Sequence, residues 1–100
     1  MARIIWSDSA IDDLRRIGEF YERNSPAYAS SIVTALYDAA SRIRHYPRSG
    51  RRVPEVDEDP VREILTNGFR IIYELTRDEV RVVAVLHSRQ DLSKKLSEDD

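Results

Sequence analysis

The stretch Val61-Arg62-Glu63-Ile64-Leu65-Thr66-Asn67-Gly68-Phe69-Arg70-Ile71-Ile72-Tyr73-Glu74-Leu75-Thr76 decides the fold at its centre. Asn67-Gly68 separates two runs rich in β-branched and aromatic residues, and a type I′ turn needs positive φ at both central positions, which Asn and Gly tolerate best. The two runs are therefore expected to fold back as an antiparallel hairpin. A second tight turn near Arg77-Asp78 leads to Val80 through His87. There Val80, Val82, Ala84 and Leu86 are expected on one face and Arg81, Val83, Val85 and His87 on the other. Three strands thus make a meander.

Upstream, Arg3 to Trp6 reads as a short strand that stops at Ser7-Asp8. Its backbone groups need partners, so it is expected against an edge or in the middle of the meander. Ile11, Leu14, Ile17 and Tyr21 then recur at helical spacing, with Ser7 or Ser9 as N-cap and Asp8 or Asp12 at the positive helix end. Gly18 inside this helix is compatible with close approach of a neighbouring helix or with simple tolerance. Asn24-Ser25-Pro26 ends this helix and starts the next with almost no loop, so the two should form an antiparallel hairpin. Ala29, Ile32, Val33, Leu36, Ala39, Ala40 and Ile43 line one face of the second helix. Pro47 ends the pattern before Arg48-Ser49-Gly50-Arg51-Arg52, read as a basic, mobile loop. Ser88, with Asp91 three residues on, is expected to cap a final short helix holding Leu92 and Leu96. The fold class is therefore α+β: an N-terminal strand, an α-helical hairpin packed on an antiparallel β-sheet, and a short C-terminal helix.

Composition narrows the function. One hundred residues make one small domain, expected over 1–96, with 97–100 as an acidic flexible tail. The formal charge is 16 − 18 = −2, and without Glu98, Asp99 and Asp100 the body carries 16 − 15 = +1. Such a body is not an obvious nucleic-acid binder. A chain without cysteine has no disulfide scaffold, no cysteine zinc site and no thiol nucleophile, so a cytoplasmic location is expected. No apolar run reaches membrane-spanning length. No His or carboxylate spacing suggests a metal, and no glycine loop suggests a phosphate-bearing cofactor, so none is expected.

The basic block Arg44, Arg48, Arg51 and Arg52 abuts the acidic block Glu55, Asp57, Glu58 and Asp59. Arg62, Arg70, Arg81 and Arg89 are expected to converge on one exposed sheet face near that block, where guanidinium forks suit phosphates and carboxylates alike. Phe20, Tyr21, Tyr28, Tyr37 and Tyr46 on the helical hairpin, and Trp6 below it, read as core or rim packing.

The order and spacing of Ile4-Ile5-Trp6-Ser7, Ala10, Asp13-Leu14, Pro26, Pro47-Arg48-Ser49-Gly50-Arg51, Val53-Pro54-Glu55, Arg62-Glu63-Ile64, Phe69-Arg70-Ile71-Ile72-Tyr73 and Val85-Leu86-His87-Ser88-Arg89 resemble the RelE/ParE family of bacterial toxins over residues 3–92. The resemblance implies the same α+β layer and a growth-inhibiting toxin masked by a cognate antitoxin in a hetero-oligomer. It leaves two targets. RelE-like members are ribosome-dependent endoribonucleases that cut mRNA, whereas ParE-like members bind and inhibit DNA gyrase.

For the ribonuclease branch the resemblance offers Glu55, Arg70 and His87, since attack of a ribose 2′-hydroxyl needs a base, a cation for the phosphate and an acid for the leaving oxygen. Each also has a structural reading. His87 at a strand end can bond neighbouring backbone, Glu55 can belong to a solvated charge run, and Arg70 can pair with Glu63 across the hairpin, the reading favoured here. The lysine-rich catalytic set and C-terminal tyrosine of RelE itself are absent, and Lys94 and Lys95 are the chain's lysines. Those departures favour the ParE-like branch, in which Arg51, Arg52, Arg62, Arg70, Arg81 and Arg89 are candidates for target or antitoxin binding. An inactive member that only binds its antitoxin is a further alternative. The antitoxin is expected on the outer face of the helical hairpin and at the open sheet edge.

Overall fold

The computed structural model describes residues 2–99, with side chains through Lys95. Its elements are β1 (Arg3–Trp6), α1 (Asp8–Glu22), α2 (Pro26–Ile43), β2 (Arg51–Arg52), β3 (Val61–Thr66), β4 (Phe69–Leu75), β5 (Glu79–His87) and α3 (Leu92–Asp99). The α+β order is the expected one. At the hairpin, Asn67 has φ 54° and Gly68 φ 82°, the positive values that the turn requires. Thr66 pairs with Phe69 and the register runs back to Val61 opposite Glu74.

The five strands lie in the order β1-β5-β4-β3-β2. Between the two positions open to it, β1 takes the edge, running parallel to β5 with Ile4 opposite Val80 and Trp6 opposite Val82. The helical hairpin covers one face. Ser7 caps α1 by accepting the Ala10 N–H, and Ser25 caps α2 by accepting the Tyr28 N–H, with Pro26 opening that helix. A Cβ on Gly18 would sit 3.1 Å from Val33 Cγ2, so this glycine does mark close helix–helix approach. Ala10, Ile32, Leu36, Ala39 and Ala40 meet Phe69, Ile71, Val82 and Val85 in the principal core. A second core on the opposite sheet face joins Ile72, Ala84 and Leu86 to Val53 and Leu92, so the sheet is covered on both sides.

Four local expectations are corrected. The register of β4 against β5 shifts between Ile72, opposite Ala84, and Tyr73, opposite Val82, leaving Val83 as the extra residue of a β-bulge. One extra residue reverses the alternation. Val80 and Val82 therefore face the helices together with Val85, while Ala84 and Leu86 turn to the other face. α2 stops at Ile43, short of Pro47. The basic loop contains strand β2 and is pinned at Gly50, whose N–H donates to the buried Tyr73 hydroxyl at 2.9 Å. Finally, the Ser93 N–H is accepted by Asp91 Oδ1 at 2.8 Å and the Lys95 N–H by the Asp91 carbonyl, so Asp91 rather than Ser88 caps α3. Leu92 is buried as expected. The backbone of α3 is helical through Asp99, whereas the side chains of Leu96 and of the expected acidic tail lie outside the described residues.

Candidate functional site

Strand alternation puts Arg70 on the face away from the helical hairpin, but it does not reach solvent there. The loop carrying Glu55 and the turn before α3 close over it, leaving its side chain 5% exposed. A guanidinium has five N–H groups. Nε donates to Glu63 Oε1, and Nη1 donates to Glu55 Oε2 and to the Gln90 carbonyl, each at 2.8 Å. Nη2 donates to Glu55 Oε1 at 2.8 Å and lies 2.6 Å from Glu63 Oε1. Every donor is occupied, and a phosphate would have to displace a carboxylate.

The ion pair with Glu63 is the one expected, although diagonal: Glu63 stands opposite Ile72, and Arg70 opposite Leu65. Glu63 is fully buried, and its Oε2 accepts from Arg51 Nε at 2.5 Å. Arg51, Glu63, Arg70 and Glu55 therefore form a ladder of alternating charge across the outer face. Glu55 is not part of a solvated run. It grips Arg70 with both oxygens and also accepts the Leu92 N–H at 3.0 Å, at the positive end of α3. The Arg70 guanidinium holds the Glu55 carboxyl down at about 2, and the two carboxylates raise Arg70 above its ordinary value.

The neighbouring basic and acidic blocks are likewise paired with each other. Asp59 receives Arg48, Arg62 Nη2 at 2.7 Å and Arg52 Nη2 at 3.5 Å, while Arg52 Nη1 also lies 3.6 Å from Asp57. The Arg48 and Arg62 contacts lower the Asp59 carboxyl. Arg62 additionally donates to the Asp59 and Gly50 carbonyls. It stands opposite Tyr73, and so on the helix-facing side of the sheet, whereas Arg81 stands opposite Glu74 on the outer side and Arg89 follows the end of β5. The expected convergence of Arg62, Arg70, Arg81 and Arg89 on one exposed face does not occur, because the strand pleat divides them and the acidic residues consume two of them.

His87 lies apart from the ladder. It pairs with Phe69, so it points to the helix side, and its ring meets the Phe69 ring edge-on at 5.8 Å. Its Nδ1 accepts the Arg89 N–H at 3.4 Å. The imidazole borders a cleft of about 370 Å³ between α1 and the end of β5, with Arg16, Ile17, Phe20 and Tyr21 on the opposite wall. At its floor is a device that sequence reasoning missed. Past Trp6, β5 has no strand on its β1 side, and there Asp13 Oδ2 accepts the buried Val85 N–H at 2.9 Å in place of a strand carbonyl. Lys95 Nζ donates to Asp13 Oδ1 at 2.7 Å, which ties α3 to α1. The available signal was Asp13 itself, a carboxylate three residues from Ala10 and four from Ile17 on the apolar stripe. Among the described residues no cluster of His, Asp or Glu is arranged to hold a metal, and no helix is long and apolar enough to cross a membrane.

A sheet covered by a helical hairpin on one face and closed by a short C-terminal helix on the other defines the class, and it is the fold of RelE and ParE toxins. The profile of the ParE toxin of type II toxin–antitoxin systems, parDE, matches residues 4–92, and the chain belongs to that family. A Sinorhizobium fredii relative, the candidate toxin Y4kP, is 31% identical over 90 residues, covering 88% of this chain and 90% of the relative. Among solved structures, the chromosomal ParDE system of P. aeruginosa superposes with a TM-score of 0.75 at 18% identity over 87% of this chain and 96% of that one. The E. coli toxin RelE, determined with a RelB antitoxin peptide, gives a TM-score of 0.65 at 17% identity over 99% of this chain and 94% of that one. At such identities the two structures speak for the fold.

Proposed function

We propose that this toxin acts by binding rather than by turnover, that its target is DNA gyrase, and that a cognate antitoxin neutralises it. The observation that carries the first part is the state of Glu55, Arg70 and His87. Arg70 has no donor left for a phosphate, Glu55 is too acidic to serve as a base near neutral pH, and His87 points to the opposite face of the sheet. A base, a cation and an acid that do not converge on one reacting atom make a poor phosphoryl-transfer site. Membership of the ParE toxin family supports the choice of gyrase. An antitoxin partner is supported by the toxin–antitoxin family and by the exposed Ile11, Phe20 and Tyr28 on the hairpin, apolar surface suited to an amphipathic segment.

The meeting of Glu55 with Arg70 is the one feature that favours the ribosome-dependent endoribonuclease. Induced expression in growing bacteria separates the two, with labelled precursors followed into DNA and protein. Early loss of DNA synthesis that survives His87→Ala is the expected result. Early loss of translation, relieved by His87→Ala, would overturn it.

A further inference from the structure

The two edges of the sheet are built differently. β2 closes one edge with just Arg51 and Arg52, a short and charged strand of the kind that discourages further pairing. The other edge is β1, where Ile4, Ile5 and Trp6 are consecutive, half-buried and free of proline, charge or bulge. An apolar edge of this kind is a template for another strand.

Its hydrogen-bonding pattern selects the register. The Arg3 N–H goes to the Asp78 carbonyl at 3.1 Å and the Ser7 N–H to the Val82 carbonyl at 3.0 Å, both on the β5 side. Backbone groups alternate along a strand, so the N–H and C=O of Ile4 and Trp6 point away from the sheet. Two copies of this edge running antiparallel satisfy each other when Ile4 of one faces Trp6 of the other. Each such pair exchanges both of its bonds, and the two-fold axis passes through Ile5. Ile5 stands opposite Arg81 on the outer sheet face, so the two Ile5 side chains meet across the axis as a close pair not joined by hydrogen bonds.

Ile4 and Trp6 face the helix side, where Trp6 stacks on Tyr37 with centroids 5.9 Å apart. A cleft of about 470 Å³ lies there between β1 and Tyr37 and Ser41 of α2, beside the place that Trp6 of the second copy would take. The same register sets Arg3 against Ser7 of the second copy, with no charge facing its like. We infer that β1 is a homodimer interface, at which two copies join into one continuous sheet.

The test is sedimentation velocity of the purified full chain across a dilution series. The wild type is expected to dimerise, and Ile5→Lys or Ile5→Glu alone to weaken the dimer at least about tenfold, because like charges then face each other across the axis. An equimolar mixture of the two variants should recover dimers, since only residue 5 meets itself. In the wild type, the Ile4 and Trp6 amides should exchange slowly when concentrated and quickly when dilute, with the Ile5 amide unchanged, a readout that does not depend on either variant folding. A wild type that is monomeric at every concentration, a dimer indifferent to Ile5→Lys, or folded variants whose mixture stays monomeric would overturn the proposal. So would Ile4 and Trp6 amides that become protected only when an antitoxin is added.

Discussion

The outer face of the sheet and the cleft beside α1 hold similar residue types in opposite states. On the outer face, Arg51, Glu63, Arg70 and Glu55 are stacked in alternating sign, and Arg70 spends all its donors within the molecule. In the cleft, His87 and Arg16 stand exposed at the mouth while the charged pair Asp13–Lys95 is sealed at the floor. Arginine in a sequence records the capacity to bind an anion, and the fold decides whether that capacity is already used. Here the ladder ties β2, β3, β4 and the start of α3 together, so its first duty is architectural.

Removal of the ladder's most buried member should break this contrast hardest. Glu63→Ala leaves Arg51 and Arg70 facing one another without the carboxylate between them, and stability should fall by about 3–5 kcal/mol, read from the urea midpoint. Glu55→Gln is expected to cost roughly 2–3 kcal/mol at neutral pH through loss of the doubly bonded carboxylate. The sign follows from its depressed folded value, about 2 against an ordinary 4.5. The stabilisation is present in full above about 4.5 and is lost as pH falls towards 2, so the wild type should show a steep acid limb over that interval and the Gln variant a flatter one. Tyr73→Phe should cost about 1–2 kcal/mol, because the Gly50 N–H and Pro47 C=O both lose the hydroxyl that bridges them. His87→Ala, on the unspent side, should move the thermal or urea midpoint by no more than about 0.5 kcal/mol.

Much of the architecture was legible because it is locally encoded. Asn67-Gly68 demanded its turn, Ser25-Pro26 began its helix, and the apolar spacing of Ile32, Leu36 and Ile43 marked a buried stripe. What escaped depends on partners distant in sequence. Nothing near Val83 announces a bulge, which arises where β5 must fit β4 with one residue to spare. Glu55 among Asp57, Glu58 and Asp59 has the composition of a solvated loop, and only the return of the chain over Arg70 distinguishes it. The Arg70–Glu63 pair was legible because both residues belong to one hairpin. Asp13, by contrast, needed the knowledge that β1 ends early and leaves the Val85 N–H without a strand partner.

The proposed function makes the ladder structural and has the toxin work by binding. Its most direct test places purified wild type and His87→Ala side by side in two reactions, supercoiling by DNA gyrase and cleavage of mRNA on programmed ribosomes. Equal inhibition of supercoiling by both proteins, and an intact message with either, are the expected results. Cleavage of the message by the wild type, lost in His87→Ala, with supercoiling unaffected, would contradict the proposal.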